Sequence, residues 1–495
     1  MSTLDGAAVP ALGLIGKLAQ SFGVNEAALR LLLSIFGGYG IAVLYRKHVV
    51  GQPNKQLHHL YFVICGLLIC LFNFGFDTYH SLIAITTTYV LARLLRGCPR
   101  EFKILNFVFH MSYLLVGYYF TESDEYDILW TMPHCVLVLR LIGFGFDLAD
   151  GLKEQDKLSK EQKECALAEL PSPLELFAFA YLPCSFLIGP QFPYRRYKRF
   201  IEGEFNQHDG NLEAGLKRMS VGFVYLIVSQ IGAVYFPNTY ILSDEYAKVS
   251  YFWRLAYLGV WAKVAIYKYV ACWLLTEGAL IVLGISYAGK QENGKHDWSG
   301  CSNVNLIILE TGYTMQHYVH SFNINTNQWL GQYVYKRLKF LNNRTISYAA
   351  ALGFLAVWHG FHSGYYMAFF NEYMTVTIEK QFASVWAKTN IDMYADIVSP
   401  PFVYPALKYF IQKLYDLFVI GWCMTPFILL GYSRWMKAYS AVNYFVLIGV
   451  LVWTIFYQTY KYYVRAAKRR EQDSTFGRAT TLSPTINDAA HDKRD

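Results

Sequence analysis

Charge is scarce in this chain. Asp, Glu, Lys and Arg make up 16% of its 495 residues, against 54% hydrophobic ones, and the mean hydropathy is positive. Apolar runs of the length found here overfill a soluble core, which excludes a soluble enzyme and leaves a polytopic membrane protein. The nine cysteines include no Cys-x-x-Cys pair and no zinc-like spacing. Most of them, such as Cys65, Cys70, Cys135, Cys272 and Cys423, sit in apolar runs and read as small buried hydrophobes, with no disulfide framework implied. The first 20 residues have neither a basic n-region nor a cleavage site, so the first spans are expected to insert the chain by themselves. No internal repeat recurs at a fixed period, while inverted repeats of the transporter kind are too weak in one sequence to decide. The net charge of +8 gathers in clusters such as Tyr194-Arg195-Arg196-Tyr197-Lys198-Arg199 and Arg465-Ala466-Ala467-Lys468-Arg469-Arg470. That pattern fits positive-inside bias and membrane lipids with anionic head groups as partners, and it argues against nucleic acid.

What is present is aromatic and apolar. The 40 Tyr, 35 Phe and 11 Trp suit interfacial belts, lipid-chain tunnels and ordinary helix packing alike. Apolar segments fall at about 27–45, 56–75, 79–95, 104–120, 129–146, 173–190, 218–236 and 251–275. Several are shorter than the roughly 20 residues a perpendicular helix needs, or are broken by Gly and Pro, so tilted, paired or re-entrant elements are expected among them. The apolar run continues through Thr276-Glu277-Gly278 to a polar loop at 289–298. Residues 304–340 contain no clean span, and are expected to leave the bilayer or to form irregular backbone enclosed by protein. Further apolar segments at 345–370, 415–432 and 441–460 bring the expectation to an all-α fold of about eleven spans. Three parts follow: an N-terminal segment 1–26, a transmembrane body 27–465, and a polar, disordered tail 466–495 whose basic entry Lys468-Arg469-Arg470 puts the C-terminus in the cytosol.

Chemistry is expected between Ser321 and Tyr366, where three features that are costly in a membrane lie close together. His359 falls near the middle of an apolar run, and a neutral imidazole is the cheapest ionisable group to keep at that depth as a base; a histidine hydrogen-bonded to a neighbouring helix for packing is the alternative. Gly360 and Gly364 form a small-xxx-small pair that admits a second backbone or a substrate chain. His362, three residues on, shares roughly one face with His359, but no carboxylate or cysteine nearby completes a metal site. Asn323, Asn325 and Asn327 alternate with Ile324 and Thr326: in an extended stretch the three amides point one way, in a helix they splay apart. An amide can hold a reacting hydroxyl or carbonyl without the desolvation cost of a charge, or it can simply cap the helix expected near Gln328. Lys336, Arg337 and Lys339 form a basic amphipathic run, an interfacial helix, a clamp for the phosphates of a soluble acyl donor, or both together. Arg140 with Asp147, and Lys263, Lys268 and Glu277, interrupt apolar sequence as structural pairs or snorkelling side chains, or as an ion path in a transporter. Asn343-Arg344-Thr345 fits a glycosylation acceptor that its basic neighbours would keep in the cytosol and unused.

Trp358-His359-Gly360 with Gly364-Tyr365, preceded 36 residues upstream by Asn323 in Phe322-Asn323-Ile324-Asn325-Thr326-Asn327-Gln328-Trp329, resembles the membrane-bound O-acyltransferase family. Within it the chain is similar to the lysophospholipid acyltransferases, and among these to the lysophosphatidylcholine type that prefers polyunsaturated acyl-CoA. The likeness extends over about 25–465 and includes the stretch from Tyr126 to Leu137, Leu187-Ile188-Gly189-Pro190-Gln191-Phe192, and Lys268-Tyr269-Val270 through Thr276-Glu277-Gly278. The resemblance implies that 27–465 is the catalytic domain, with about eleven helices around a central reaction tunnel, His359 as catalytic histidine and Asn323 as its partner. It implies acyl-CoA entering from the cytosol and a lysophospholipid entering from the bilayer, with no bound cofactor and no metal. Trp329, Lys336, Arg337, Lys339, Gly360 and Gly364 are the residues expected to contact substrate. A homodimer stays open as the assembly state. The endoplasmic reticulum membrane is the implied location; the chain ends Asp492-Lys493-Arg494-Asp495, with one lysine where a dilysine retrieval signal has two.

The expected reaction is transfer of an acyl group from acyl-CoA to the free sn-2 hydroxyl of a lysophospholipid, as in phospholipid remodelling. Neutral His359 takes the hydroxyl proton as the oxygen attacks the thioester, and the leaving thiolate needs little acid assistance. Asn323 positions the hydroxyl or the thioester, or donates to the oxyanion; the sequence does not choose. Two alternatives stand beside this one: a family member with a protein or neutral-lipid acceptor, and a transporter or channel using the buried charges.

Overall fold

In the computed structural model the described residues run from 13 to 481, apart from 122, 124–126, 207, 390, 393–399 and 401. Most of them are helical; among them the only strands, Gly289–Lys290 and His296–Asp297, form a small hairpin at the polar loop. Seven of the first eight apolar segments become long helices: Glu26–His48, Lys55–Phe74, Thr78–Leu94, Pro99–Thr121, Thr131–Gly151, Asn211–Tyr235 and Tyr251–Leu283. Their ends follow local chemistry. Asn25 and Asn54 accept from the first free N–H groups of their helices, and Arg46, Lys47 and His48 sit at the negative end of the first.

Among the described residues six helical stretches are long and apolar enough to cross a membrane, one of them the two-helix run Lys55–Leu94; Tyr432–Ala441 with Phe445–Arg470, bent by 74°, makes a seventh if taken as one span. The rest of the apolar sequence behind the expectation of about eleven spans lies in shorter or broken helices. Residues 173–190 are one such case. Only Pro173–Ala180 is helical there, and the backbone then turns repeatedly. The carbonyls this break leaves open are met by Arg140, which is 1% exposed. It donates to the carbonyls of Phe179 and Ala180, both at 3.1 Å, and to the carbonyl and hydroxyl of Ser185 at 2.8 and 2.6 Å. Irregular backbone at this depth is tolerated because protein encloses and satisfies it. Arg140 therefore does not pair with Asp147, which accepts from the Tyr333 hydroxyl at 2.7 Å.

Two helices form the interior. The spanning windows of Thr131–Gly151 and Tyr251–Leu283 are 78% and 72% buried, whereas that of Asn211–Tyr235 is 17% buried and faces outward. Against the inner pair pack the short elements of 304–340, as the mixed hydropathy predicts: Leu306–Thr311, Met315–Ser321, Ile324–Tyr333 and the 3-10 turn Tyr335–Leu341. The apolar run 345–370 is not one helix. Arg344–His359, capped by the Asn343 side chain, stops at Gly360, whose φ of +119° suits glycine alone, and Ser363–Trp386 begins anew. At the far end, Phe445–Thr481 continues as helix past residue 466, where a disordered tail is expected; Arg465, Ala466, Ala467, Lys468, Arg469, Arg470 and Glu471 are all good helix formers. The segments 1–12 and 482–495, with the terminal Asp492 to Asp495, lie outside the described residues, as does Tyr126.

Candidate active site

The asparagine cluster is neither fully extended nor fully helical. Met315–Ser321 ends, Phe322 is extended, and Asn323 turns left-handed at φ 50°, ψ 46° before the helix Ile324–Tyr333 starts. Asparagine is among the few non-glycine residues that accept this conformation. Although Asn323 stands at the N-cap, its side chain makes no capping bond; its Oδ1 accepts instead from Nδ2 of Asn303 at 3.2 Å. Asn325 and Asn327 have other duties. The first donates to the Ser302 carbonyl at 2.9 Å, the second to the carbonyls of Val319 and Phe322 at 2.8 and 3.0 Å. The three amides thus splay, and two of them tie the helix to the segments before it.

His359 is the last residue of its helix, not its midpoint. The ring is enclosed by Trp358, Tyr365, Phe427 and Phe369, with centroids at 4.6, 5.0, 5.2 and 5.5 Å. Among the described residues its ring nitrogens make no hydrogen bond to protein, so no carboxylate orients it. The backbone on both sides is held instead: Trp358 donates its indole N–H to the Cys135 carbonyl at 3.0 Å, and the Trp358 carbonyl accepts from the Tyr118 hydroxyl at 3.3 Å. On the next helix the Gly364 N–H donates to the Leu430 carbonyl at 2.9 Å.

Asn323 and His359 line one cavity of about 730 Å³, within the range of small-molecule sites. Its walls are mainly apolar and come from the inner helices (Met132, Cys135, Tyr269, Trp273) and from Phe427. A few polar groups interrupt them. Thr326 and Asn327 flank Asn323, while His362, Lys268 and Glu372 lie farther along the lining. Glu372 escapes a reading of sequence motifs; its signal is helical spacing, since Tyr365, Ala368, Phe369 and Glu372 are one face of Ser363–Trp386 and all four line the cavity. Among the described residues no group of three His, Cys, Asp or Glu side chains could hold a metal ion. Ser363, beside the histidine break, receives the Trp435 indole N–H at 3.1 Å and is not a lining residue. An imidazole and an amide on one mainly apolar cavity suit proton removal from a hydroxyl next to an electrophilic carbonyl.

The six residues expected to contact substrate fall outside this lining. Trp329, 3% exposed, packs against Phe354 and donates to the Leu139 carbonyl at 2.9 Å, which fastens the asparagine helix to Thr131–Gly151. Lys336 pairs with Glu161 at 2.7 Å, and that contact lowers the exposed Glu161 carboxyl to about 2. Arg337 forms a two-pronged ion pair with Asp150, and Lys339 is exposed at the end of the 3-10 turn. Gly360 ends the histidine helix. Gly364 admits the chain at Pro426 to Leu430 and not a substrate: a Cβ there would sit 2.1 Å from the Pro426 carbonyl oxygen. The other charges in apolar sequence are paired too, Lys263 with Glu310 at 3.1 Å and Glu277 with Arg218 at 2.5 Å.

Comparison with known proteins places this geometry in a family. Residues 115–414 match the model of MBOAT, the membrane-bound O-acyltransferase family. The chain is 55% identical over 462 residues to Lysophospholipid acyltransferase 5 of Drosophila melanogaster, covering 93% of both. It is 40% identical over 436 residues to Lysophospholipid acyltransferase 5 of Homo sapiens, covering 87% of this chain and 88% of the relative. A more distant relative is the Lysophospholipid acyltransferase of Saccharomyces cerevisiae, 25% identical over 481 residues and covering 88% and 75%. Likeness of this extent to the family model, and of this identity along nearly the whole chain, makes the protein an O-acyltransferase of the membrane-bound O-acyltransferase family.

Proposed function

We propose that the protein transfers an acyl group from acyl-CoA to the free sn-2 hydroxyl of a lysophospholipid, with lysophosphatidylcholine as acceptor and polyunsaturated chains as preferred donors. The observation that carries this reading is the placing of His359 and Asn323 on one apolar cavity, in a family member whose relatives bear the name lysophospholipid acyltransferase. Neutral His359 takes the hydroxyl proton while the oxygen attacks the thioester carbon. The tetrahedral intermediate then collapses, the carbon–sulfur bond breaks, and the CoA thiolate leaves with the proton held by His359. Acyl-CoA is a co-substrate here and no bound cofactor takes part. The aromatic enclosure excludes water, which would otherwise hydrolyse the thioester. A direct transfer fits better than an acyl-enzyme, because the Ser363 hydroxyl, four residues after the histidine, accepts from the Trp435 indole N–H and is not part of the cavity lining. The same reading sets the protein in the endoplasmic reticulum membrane, with the C-terminus and its basic cluster in the cytosol.

The test is acyl transfer by purified protein in detergent, with arachidonoyl-CoA and saturated acyl-CoA offered to a panel of lysophospholipids, sterol and diacylglycerol. Phospholipid product from the wild type and none from His359→Ala is the expected outcome. Sterol ester or triacylglycerol as the sole product would overturn the acceptor, and equal rates with all donors would overturn the chain preference.

A further inference from the structure

Asn323 faces the cavity, but a second asparagine decides which end of its amide does so. The backbone N–H of Asn325 donates to Asn303 at 3.0 Å. A backbone N–H can only donate, so the atom it meets must be the Asn303 carbonyl oxygen Oδ1, and the other terminal atom of Asn303 must be the donor Nδ2. That Nδ2 lies 3.2 Å from the Asn323 side chain. The atom of Asn323 that meets it must be an acceptor, hence Oδ1. What remains to Asn323 is its own Nδ2, which makes no hydrogen bond among the described residues, on a side chain that lines the cavity with His359.

We propose that Asn303 is a positioning residue: it locks the Asn323 amide so that an N–H, and not a carbonyl oxygen, is presented to the reacting carbon's oxygen. The proposal rests on the acyl-transfer reading and assigns Asn323 its part in it. As the acceptor oxygen forms its bond to the thioester carbon, the carbonyl π electrons move onto oxygen, and the Asn323 N–H donates to that oxyanion until the carbon–sulfur bond breaks. An amide held with this polarity cannot take the hydroxyl proton, so proton removal falls to His359.

The lock is anchored from behind. Asn303 is 2% exposed. Its backbone N–H donates to Glu277 Oε1 at 2.7 Å, as does that of Val304 at 3.0 Å. The other Glu277 oxygen receives Arg218 Nε at 2.7 Å, and Arg218 also donates to the Val304 carbonyl at 2.8 Å. On the cavity side the Asn303 carbonyl accepts from the Ile324 N–H at 3.0 Å. The left-handed backbone of Asn323 is thus held between a buried ion pair and the start of its own helix, as strained residues at functional sites are.

The experiment is a kinetic comparison of Asn303→Asp, Asn303→Ala, Asn323→Ala and the double variant Asn303→Asp/Asn323→Ala with wild type, all in detergent. Aspartate keeps an acceptor for Asn325 but puts a second acceptor against Asn323, so the amide must turn its oxygen to the cavity. Asn303→Asp should lose about 10²-fold in kcat, the loss expected of a missing oxyanion donor, with both KM values little changed. Asn303→Ala frees the amide without reversing it, and should lose less, about tenfold. The double variant should be no slower than Asn323→Ala alone, because Asn303 acts through Asn323. Losses that multiply in the double variant, or an Asn303→Asp kcat within about threefold of wild type, would overturn the proposal. Should Asn303→Asp not fold, as judged by size exclusion and acyl-CoA binding, Asn303→Ala and its double with Asn323→Ala decide by the same rule. If wild type acylates an acceptor other than lysophospholipid, the acceptor reading fails alone, and the variant ratios on that acceptor still decide the role of Asn303.

Discussion

Asn323 and His359 line one cavity and are held there by opposite means. Asn323 accepts from the side-chain amide of Asn303, whose polarity the Asn325 backbone N–H fixes and whose own backbone N–H is anchored on the Glu277–Arg218 pair. Among the described residues His359 has no such anchor. Its place is set by a helix that must stop at Gly360, by the close docking of Gly364 on the chain at Leu430, and by four aromatic rings. The difference suits the parts proposed for the two groups. A donor that only points needs its amide held one way round, and hydrogen bonds do that. A base that gains and returns a proton within one turnover needs a dry place and open nitrogens, and apolar packing supplies both.

The largest break in this comparison is removal of the base. His359→Ala should lower kcat by about 10³-fold, in the middle of the range for general-base catalysis, while acyl-CoA binding and the elution profile stay those of wild type. A variant with half of normal activity would take His359 out of the mechanism. Next comes Asn323→Ala, with an expected loss of about 10²-fold in kcat and little change in KM. A loss confined to KM would make Asn323 a group that binds ground state and transition state equally.

Much of this layout is legible in the sequence, and the exceptions share a cause. The long helices, the irregular stretch 304–340 and the pairing of an Asn block with a buried His all follow from hydropathy, caps and local motifs. Local pattern fails where a distant partner decides. Residues 173–190 look like a span until Arg140, some 40 positions earlier, takes up their carbonyls. Lys336 and Arg337, read as an interfacial helix or a phosphate clamp, pair with Glu161 and Asp150 from the other half of the chain, which no local pattern announces. His359 looks mid-helix because hydropathy does not register the φ of Gly360. Asn303 carries no signal at all, since its neighbours Ser302 and Val304 are unremarkable and each of its partners is 20 or more residues away.

The apolar half of the comparison can be sharpened through stability. Gly364→Ala builds a methyl group 2.1 Å from the Pro426 carbonyl oxygen and 2.7 Å from that of Leu430. Because both obstacles are backbone, the helices must part, at a cost of about 1–3 kcal/mol or more. Thermal unfolding should show a clear drop in midpoint, and activity should fall with it as His359 loses its enclosure. An unchanged midpoint would mean that the glycine does not set the helix approach.

The smallest effects belong to the two outer asparagines, and they test the polar half. Asn325→Ala removes donors to the Ser302 carbonyl and to Asn303 Oδ1, and Asn327→Ala removes those to Val319 and Phe322. Each should cost about 1 kcal/mol of stability, the net worth of such bonds, and kcat should stay within a few-fold of wild type because neither amide is needed as the donor. The Asn303 oxygen keeps the Asn325 backbone N–H in the first variant, so the polarity of Asn323 survives. Side-by-side rates for Ala at 323, 325 and 327 therefore separate one reacting amide from two structural ones. Equal losses at all three would mean that the cluster acts only by shaping the start of its helix, and the contrast between a polar lock and an apolar enclosure would then collapse into ordinary packing.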